Sequence, residues 1–558
     1  MKLRFCGADT GVTGSCHLVT TEHHKILLDC GQFQGNKTQE ARNFEEFPFN
    51  PAEVEAVVLS HAHIDHCGRL PLLVKRGFKG KIYCTDATAD LLDIMLKDSA
   101  YIHEQEAEWQ NRKNMRAGKP LVEPLFTADD ALTTLELVRP VLYDQLIKLN
   151  DEIDVCFNDA GHILGSAIIE LFIDEAGEKS KLVFSGDLGM NDKPILRDPT
   201  IIKKADYVIM ETTYGDRDHE STGQGMENLM HIVQKTIERG GNVVIPSFAV
   251  GRTQELVYEF NRIYEERPEY KKLLDKVYVY VDSPMAVSAT DVFRNNAQVF
   301  DEETKAYILK GDNPLDFKNL RFTKTADESR ALNFDTNPKI IISASGMCEA
   351  GRIKHHLKHN LWNPKSSIVF VGYQAAGTLG RSISDGAEEV TLFGEKIKVA
   401  AEVYDLDGFS GHADRGALLT WLKGFQKKPS QIFLVHGEEE SKRGFASLVQ
   451  QELDWATTPV YGPCEVELNK DEPLVAAETP QRILDPEELE KIKERIDDVR
   501  SQLEAILTGA HGAVKGTASA ERIIAINNAI LELEKNALNL GSTFTAEDRK
   551  AEEQAQQQ

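Results

Sequence analysis

The sequence has no apolar run long enough to cross a bilayer, no CxxC pair and no excess of basic charge, and each absence removes a class of protein. Without about 20 consecutive apolar residues there is no transmembrane helix, and no membrane partner is expected. Eight cysteines scattered over 558 residues supply neither a disulfide framework nor a cysteine-rich zinc module; they read as reduced, mostly buried thiols. With 64 Lys and Arg against 89 Asp and Glu, the net charge of −25 opposes nonspecific attraction to nucleic acid or anionic lipid. Any polyanionic substrate therefore has to meet a local basic cleft. The stretch from Met1 to Asp9 lacks the apolar segment and small-residue cleavage site of a secretory signal, so a cytoplasmic location is the default expectation.

What is present fits a folded chain of more than one structural unit. Hydrophobic residues at 41% and charged residues at 27% exclude a mainly disordered or fibrous protein, and the length exceeds what one ordinary core supports. Short apolar runs bounded by turn residues predict strands at 25–28, 56–60, 167–173, 182–184 and 207–210, whereas 86–118 has helical patterning. From Thr212 to about residue 401 strand and helix alternate, with strands expected at 242–245, 277–281, 339–342 and 367–371. That alternation predicts a parallel βαβ sheet.

The strongest local signal is His61-Ala-His63-Ile-Asp65-His66, directly after the apolar run 56–60. Four metal-ligand side chains within six residues, leaving a strand for a turn, can converge on one point as a regular helix would not allow at spacings of two. The segment from Cys67 to Val74 is expected to start a helix that packs this loop against the core. Asp29, His162 in Gly161-His162-Ile-Leu-Gly165 and Asp187 in Ser185-Gly-Asp187 also follow strand-like runs. Singly each reads as well as an ordinary turn residue; together they repeat the pattern of acid or imidazole groups at strand ends.

The order Asp29, His-x-His-x-Asp-His, His162 and Asp187 resembles the metallo-β-lactamase superfamily. The resemblance implies an α/β fold, a four-layer αβ/βα sandwich, with two metal ions, usually Zn2+. It assigns His61, His63 and His162 to one ion, Asp65 and His66 to the other, and Asp187 to both, with Asp29 orienting a ligand or the loop. Three later motifs narrow the choice: Glu211 in Met210-Glu211-Thr-Thr-Tyr214, His412 in Gly411-His412-Ala-Asp414, and His436 in Val435-His436-Gly437. They resemble motifs A, B and C of the β-CASP nucleases. The implied organisation is a metallo-β-lactamase domain over 1–211 and 402–465 with a β-CASP insertion over 212–401. By the same resemblance His436 completes the second metal site, Asp65, Glu211 and His412 are catalytic, His412 is the general acid, and Glu211 is its carboxylate partner. A histidine at motif C resembles the RNA-processing branch.

Loops after three expected strands of the insertion offer substrate contacts: Ser247, Phe248 and Arg252; Ser343, Ser345 and Arg352; Tyr373, Thr378 and Arg381. Small residues admit a backbone, hydroxyls donate to phosphate, arginine adds charge, and Phe248 or Tyr373 can stack a base. Glycines that merely permit tight turns explain each loop equally well. Beyond a linker at 466–480, apolar spacings of three and four after Asp485-Pro486 predict a helical hairpin over 481–541, with a mobile tail at 542–558. The expected function is metal-dependent hydrolysis of single-stranded RNA by a metal-activated hydroxide, with a second copy of the chain left open as a further partner. The alternatives are a DNA-directed or broad-specificity nuclease, a noncatalytic RNA-binding scaffold, and a small-molecule ester or thioester hydrolase.

Overall fold

The computed structural model describes residues 1–35, 37–219, 222–372, 374, 377–468, 496–497, 499–504, 506–508 and 530. The expected tail at 542–558 and most of the expected hairpin at 481–541 lie outside the described residues; 496–497, 499–504 and 506–508 are helical.

Two seven-stranded sheets form the part that carries the histidine motifs. The first runs, in spatial order, Cys464–Glu467, Lys2–Phe5, His17–Thr20, Lys25–Leu28, Ala56–Val58, Lys81–Thr85 and Val138–Val141. The second runs Thr458–Pro459, Gln431–Val435, Tyr207–Glu211, Glu178–Phe184, Ala167–Glu175, Ile153–Asp159 and Ile147–Lys148. Residues of period two sort the faces. Ile26 and Leu28, with Val58, Tyr207 and Ile209, enter the core between the sheets, while Leu27, Val57 and Leu59 face the helices outside the first sheet. Val208 and Met210 meet Leu418, Trp421 and Phe445 on the helices Arg415–Lys423 and Glu439–Leu453, outside the second. This gives the expected helix, sheet, sheet, helix layering. The first sheet takes in Cys464–Glu467, two residues past the expected domain end at 465.

The four strands expected in the insertion join two that were not expected, Leu320–Phe322 and Glu402–Asp405, in a six-stranded sheet in the order Leu320–Phe322, Val279–Val281, Ile340–Ser343, Val243–Pro246, Ser367–Phe370, Glu402–Asp405. Every pairing in it is parallel, as alternation with helices requires. Its sixth strand begins just past residue 401. The four central strands are buried on both faces or nearly so, which is why they read as apolar runs. Among the described residues no helix is long and apolar enough to cross a membrane.

At the end of Val279–Val281 the Asp282 carboxylate is fully buried. It accepts hydrogen bonds from Arg352 Nη1 at 2.6 Å, Thr323 Oγ1 at 2.5 Å, Ser329 Oγ at 2.5 Å and His356 Nε2 at 2.6 Å. Burial opposes its ionisation, but these donors, His356 first, hold the carboxyl well below the usual range. A buried charge tied by four donors is costly to break from one side, because its partners stay behind unpaired. Asp282→Ala should therefore lower the stability of the chain by about 3–5 kcal/mol while leaving metal binding intact. Chemical denaturation beside a metal titration checks this; an unchanged denaturation midpoint contradicts it.

Candidate metal centre

Strand direction gathers the site. Lys25–Leu28 and Ala56–Val58 are parallel, so Asp29 and His61 leave the first sheet at the same edge. Glu178–Phe184, Tyr207–Glu211 and Gln431–Val435 are likewise parallel, which puts Asp187, Glu211 and His436 at one edge of the second sheet. Ile153–Asp159 reaches the same direction through two antiparallel pairings and delivers His162. Crevices outside the carboxyl ends of strands are where open α/β sheets carry their chemistry.

The motif loop differs in one respect from the expected plain turn. His63 is extended and immediately precedes the helix Ile64–Cys67, so Asp65 and His66 sit on a helical turn. A second helix, Leu70–Lys75, buries Leu70, Leu72 and Leu73. The loop is pinned by backbone bonds from Ser15 N to Asp65 O at 2.8 Å, Cys30 N to His66 O at 2.8 Å and Gln32 N to Ile64 O at 2.9 Å. Gly31 makes this approach feasible, since a Cβ there would come within 1.6 Å of the Asp65 carbonyl oxygen.

Two donor groups result. In the first, His63 Nδ1 lies 3.2 Å from both His61 Nε2 and His162 Nε2, and each Nε2 lies 3.6 Å from Asp187 Oδ2. In the second, His66 Nε2 is 3.2 Å from His436 Nε2 and 4.0 Å from Asp65 Oδ2, with His436 3.5 Å from Asp65. Asp187 reaches this group too, 3.2 Å from His66 Nε2 and 3.5 Å from His436 Nδ1. A tetrahedral zinc site with arms of about 2.0–2.1 Å has edges of about 3.4 Å, so the spacing within the first group matches the edges of such a tetrahedron. Asp187 Oδ1 is buried without a hydrogen-bond partner. Nitrogen and carboxylate donors at these spacings fit metal ions.

Outer contacts fix which nitrogen each histidine presents. His66 Nδ1 donates to Asp29 Oδ2 at 2.7 Å, His61 Nδ1 to Ser60 Oγ at 3.0 Å, and His162 Nδ1 to the Gly411 carbonyl at 3.0 Å. Ser60 Oγ in turn donates to Asp29 at 2.9 Å, so one carboxylate orients a ligand of each group. His436 Nδ1 meets Thr213 Oγ1 at 3.1 Å. Burial pushes the His61 and His162 imidazoles well below their usual range and His63 down to about 4, which keeps their lone pairs free at neutral pH. For His66 burial acts the same way but is outweighed by Asp187, Asp29 and Asp65, which raise it well above.

His412 stands beside this cluster, 3.8 Å from Asp187 Oδ2 and 3.3 Å from Glu211 Oε1, both through Nδ1. Burial disfavours its charged form, yet Glu211 and Asp187 hold it up at about 9. Glu211 is itself held by Leu188 N at 2.6 Å and Thr213 Oγ1 at 2.5 Å. Thr213 thus joins Glu211 to His436, a link the motif spacing alone did not disclose.

The structure brings together all seven expected ligands, Asp29, Glu211 and His412. It does not bring together the expected substrate residues. Phe248 and Arg252 line the cleft that opens on His63, Asp65, His162, Asp187, His412 and His436. Ser247 is buried, accepts from Thr253 Oγ1 at 3.0 Å and donates to Phe248 O at 3.3 Å. Ser343 is buried and donates to Asp282 O. Ser345 bonds Ala350. Arg352 is engaged by Asp282 and by the carbonyls of Thr323 and Lys324. Thr378 caps the helix Leu379–Ser384, and Arg381 pairs with Asp385 one turn along it. These residues build turns, the reading that the sequence allowed equally. Tyr373 lies outside the described residues. The cleft also contains Lys193, Tyr214, Glu255 and Met347, to which sequence reasoning assigned no role, although Tyr214 stands in the Glu211 motif and the others lie within two to six residues of Ser345, Arg252 and Asp187.

Residues 9–161 match the Metallo-beta-lactamase superfamily, 253–383 the Beta-Casp domain and 396–459 the Zn-dependent metallo-hydrolase RNA specificity domain. A ribonuclease of Thermus thermophilus is 39% identical over 449 residues, covering 80% of this chain and 96% of that one. A transcription termination factor FttA of Methanosarcina mazei is 34% identical over 466 residues, covering 81% of this chain and 69% of that one. An RNase J-like protein of Methanocaldococcus jannaschii is 33% identical over 465 residues, covering 82% and 98%.

Because Asp29 reaches His66 directly and His61 through Ser60, Asp29→Ala should weaken metal affinity by about 10–100-fold. Competition against a chromophoric chelator measures it, and wild-type affinity in the variant would remove Asp29 from the site.

Proposed function

The chain belongs to the β-CASP branch of the metallo-β-lactamase superfamily, and from that premise we propose that it is a ribonuclease that hydrolyses phosphodiester bonds of single-stranded RNA with two zinc ions. The observation that carries this reading is the pairing of two donor groups through Asp187 with the His412 imidazole alongside them, its Nδ1 3.3 Å from Glu211. His61, His63, His162 and Asp187 would hold one ion, and Asp65, His66, His436 and Asp187 the other. When bound, such ions supply Lewis acidity toward a phosphoryl oxygen and lower the pKa of water.

The chain's own groups supply the rest. His412 keeps Nδ1 on Glu211, so its Nε2 is the atom left to give a proton to the departing oxygen. Glu211 favours the imidazolium electrostatically and fixes its plane. The exposed Phe248 ring offers a base a flat apolar face in the cleft, with room made by Gly346, where a Cβ would strike that ring at 2.9 Å. Stacking reads no sequence, so it suits a single strand. The match of 396–459 to an RNA specificity domain supports RNA over DNA.

Incubation of the zinc-loaded chain with end-labelled RNA and the matching DNA tests the function: RNA should be cut, and removal of metal should abolish cutting. Cleavage by a rigorously metal-free sample, or of DNA alone, contradicts the proposal. Two variants should then fail differently. His412→Ala should retain metal and RNA binding and lose about 10²–10⁴-fold in turnover, whereas His436→Ala should lose affinity for one ion. A bridging phosphorothiolate, whose leaving group needs little protonation, should rescue His412→Ala far more than His436→Ala. Equal rescue would show that His412 is not the acid.

A further inference from the structure

Three charged side chains in the wall of the cleft are not used by the chemistry above. Lys193 follows Asp187 on the same loop, and Arg252 and Glu255 lie on the first turn of the helix Arg252–Glu266. Glu255 bridges the two cations, with Oε1 2.8 Å from Lys193 Nζ and Oε2 2.5 Å from Arg252 Nη1. Their side chains are only 4%, 8% and 11% exposed for Lys193, Arg252 and Glu255, yet all three line the cleft. Two cations and one carboxylate leave one positive charge in excess. Arg252 Nε is also buried with no hydrogen-bond partner. The nearest further acid along the helix, Glu259, is paired with Arg262 at 2.7 Å. Excess buried charge and an unmet donor are both expensive unless an anion arrives.

The position is close to the reaction centre. The Arg252 guanidinium comes within 3.7 Å of the point where a side chain on Gly411 would begin, and that point is 3.2 Å from the His162 ring. Gly411 therefore leaves open a passage between the cations and the metal ligands. Two conformational constraints keep the helix start there. Gly251 has a φ of +83°, and a Cβ on it would meet Ile163 at 3.0 Å, beside His162.

We propose that Lys193 and Arg252, held in place by Glu255, form a subsite for one unreacting phosphate of the bound chain, adjacent to the phosphate that is cut. The assignment rests on the ribonuclease reading and adds Lys193 and Glu255 as specificity residues. A negatively charged linkage cancels the excess charge and can meet Arg252 Nε, while Glu255 keeps both cations pre-positioned so that little order is lost on binding. In a chain of net charge −25, this is the local positive field that a polyanion requires.

The test uses full-length, zinc-loaded protein in a His412→Ala background, in which turnover is slow enough for binding to be measured. Its ligands are a short RNA and a series in which one linkage at a time is a neutral methylphosphonate. With Lys193 present, neutralising the linkage next to the scissile one should weaken binding about 10–100-fold, the range for a hydrogen bond between charged groups. In Lys193→Met the same replacement should have little effect, other linkages should behave as in the parent, and the salt slope should fall by about one. Lys193→Arg should restore the sensitivity. If Lys193→Met fails to fold, Glu255→Gln, which keeps both cations, should enlarge the penalty at that linkage. RNA binding in which no linkage is coupled to Lys193 or Glu255 overturns the subsite and leaves the trio as a latch. Failure of the parent to bind RNA overturns the ribonuclease reading and the subsite with it.

Discussion

The Asp187 carboxylate lies within 3.2–3.8 Å of nitrogens on five histidines, His61, His66, His162, His412 and His436. Burial makes ionising it costly, and the surrounding imidazoles, His436 and His66 foremost, more than offset that cost and hold it well below the usual carboxylate range. The rest of the site is arranged around this one charge. The two donor groups share it, it helps raise the pKa of the His412 imidazole beside them, and the loop that carries it continues to Lys193 in the cleft wall.

Such a concentration of polar groups in a buried place depends on backbone order. Parallel strands in both sheets point their carboxyl ends to the same edge, so residues far apart in sequence arrive together without long loops. Outer contacts then remove the remaining freedom. Asp29 orients His66 and, through Ser60, His61; Thr213 connects Glu211 with His436; the Gly411 carbonyl fixes His162. A half-satisfied network in low dielectric is worse than none, which is why these bonds matter beyond their individual strengths.

The inserted sheet works differently. Its four central strands are mainly apolar, and nearby polar groups serve its own integrity, as with the four donors on Asp282. What it presents to the cleft is mostly apolar or small, Phe248, Val250, Phe293, Met347 and Gly372, with the charges confined to the first turn of the helix Arg252–Glu266. That economy reconciles an acidic chain with a polyanionic substrate, because the cations that matter are few and are held inside the cleft.

Much of this was legible from the residues alone. Asp29, Glu211 and His436 stand at or next to the last residue of a strand, His61, His162 and Asp187 follow within three residues, and His63, Asp65, His66 and His412 lie in short motifs a little farther on, so the donor set is largely a local fact that spacing records. The strands of both parts were equally visible, since period-two or continuous apolar runs betray burial without knowledge of partners. The substrate wall was not. Arg252, Arg352 and Arg381 are alike in sequence, each after a glycine-rich turn, yet only Arg252 faces the cleft; Arg352 is captured by Asp282, 70 residues away, and Arg381 by Asp385 on its own helix. Lys193 and Glu255 carried no motif and were missed, because their meaning lies in a contact between segments 62 residues apart. Sequence thus determined which donor side chains could be gathered, because short spacing near strand ends is a local property, and tertiary structure alone decided which charged side chains line the cleft, because that depends on the partners each one meets after folding.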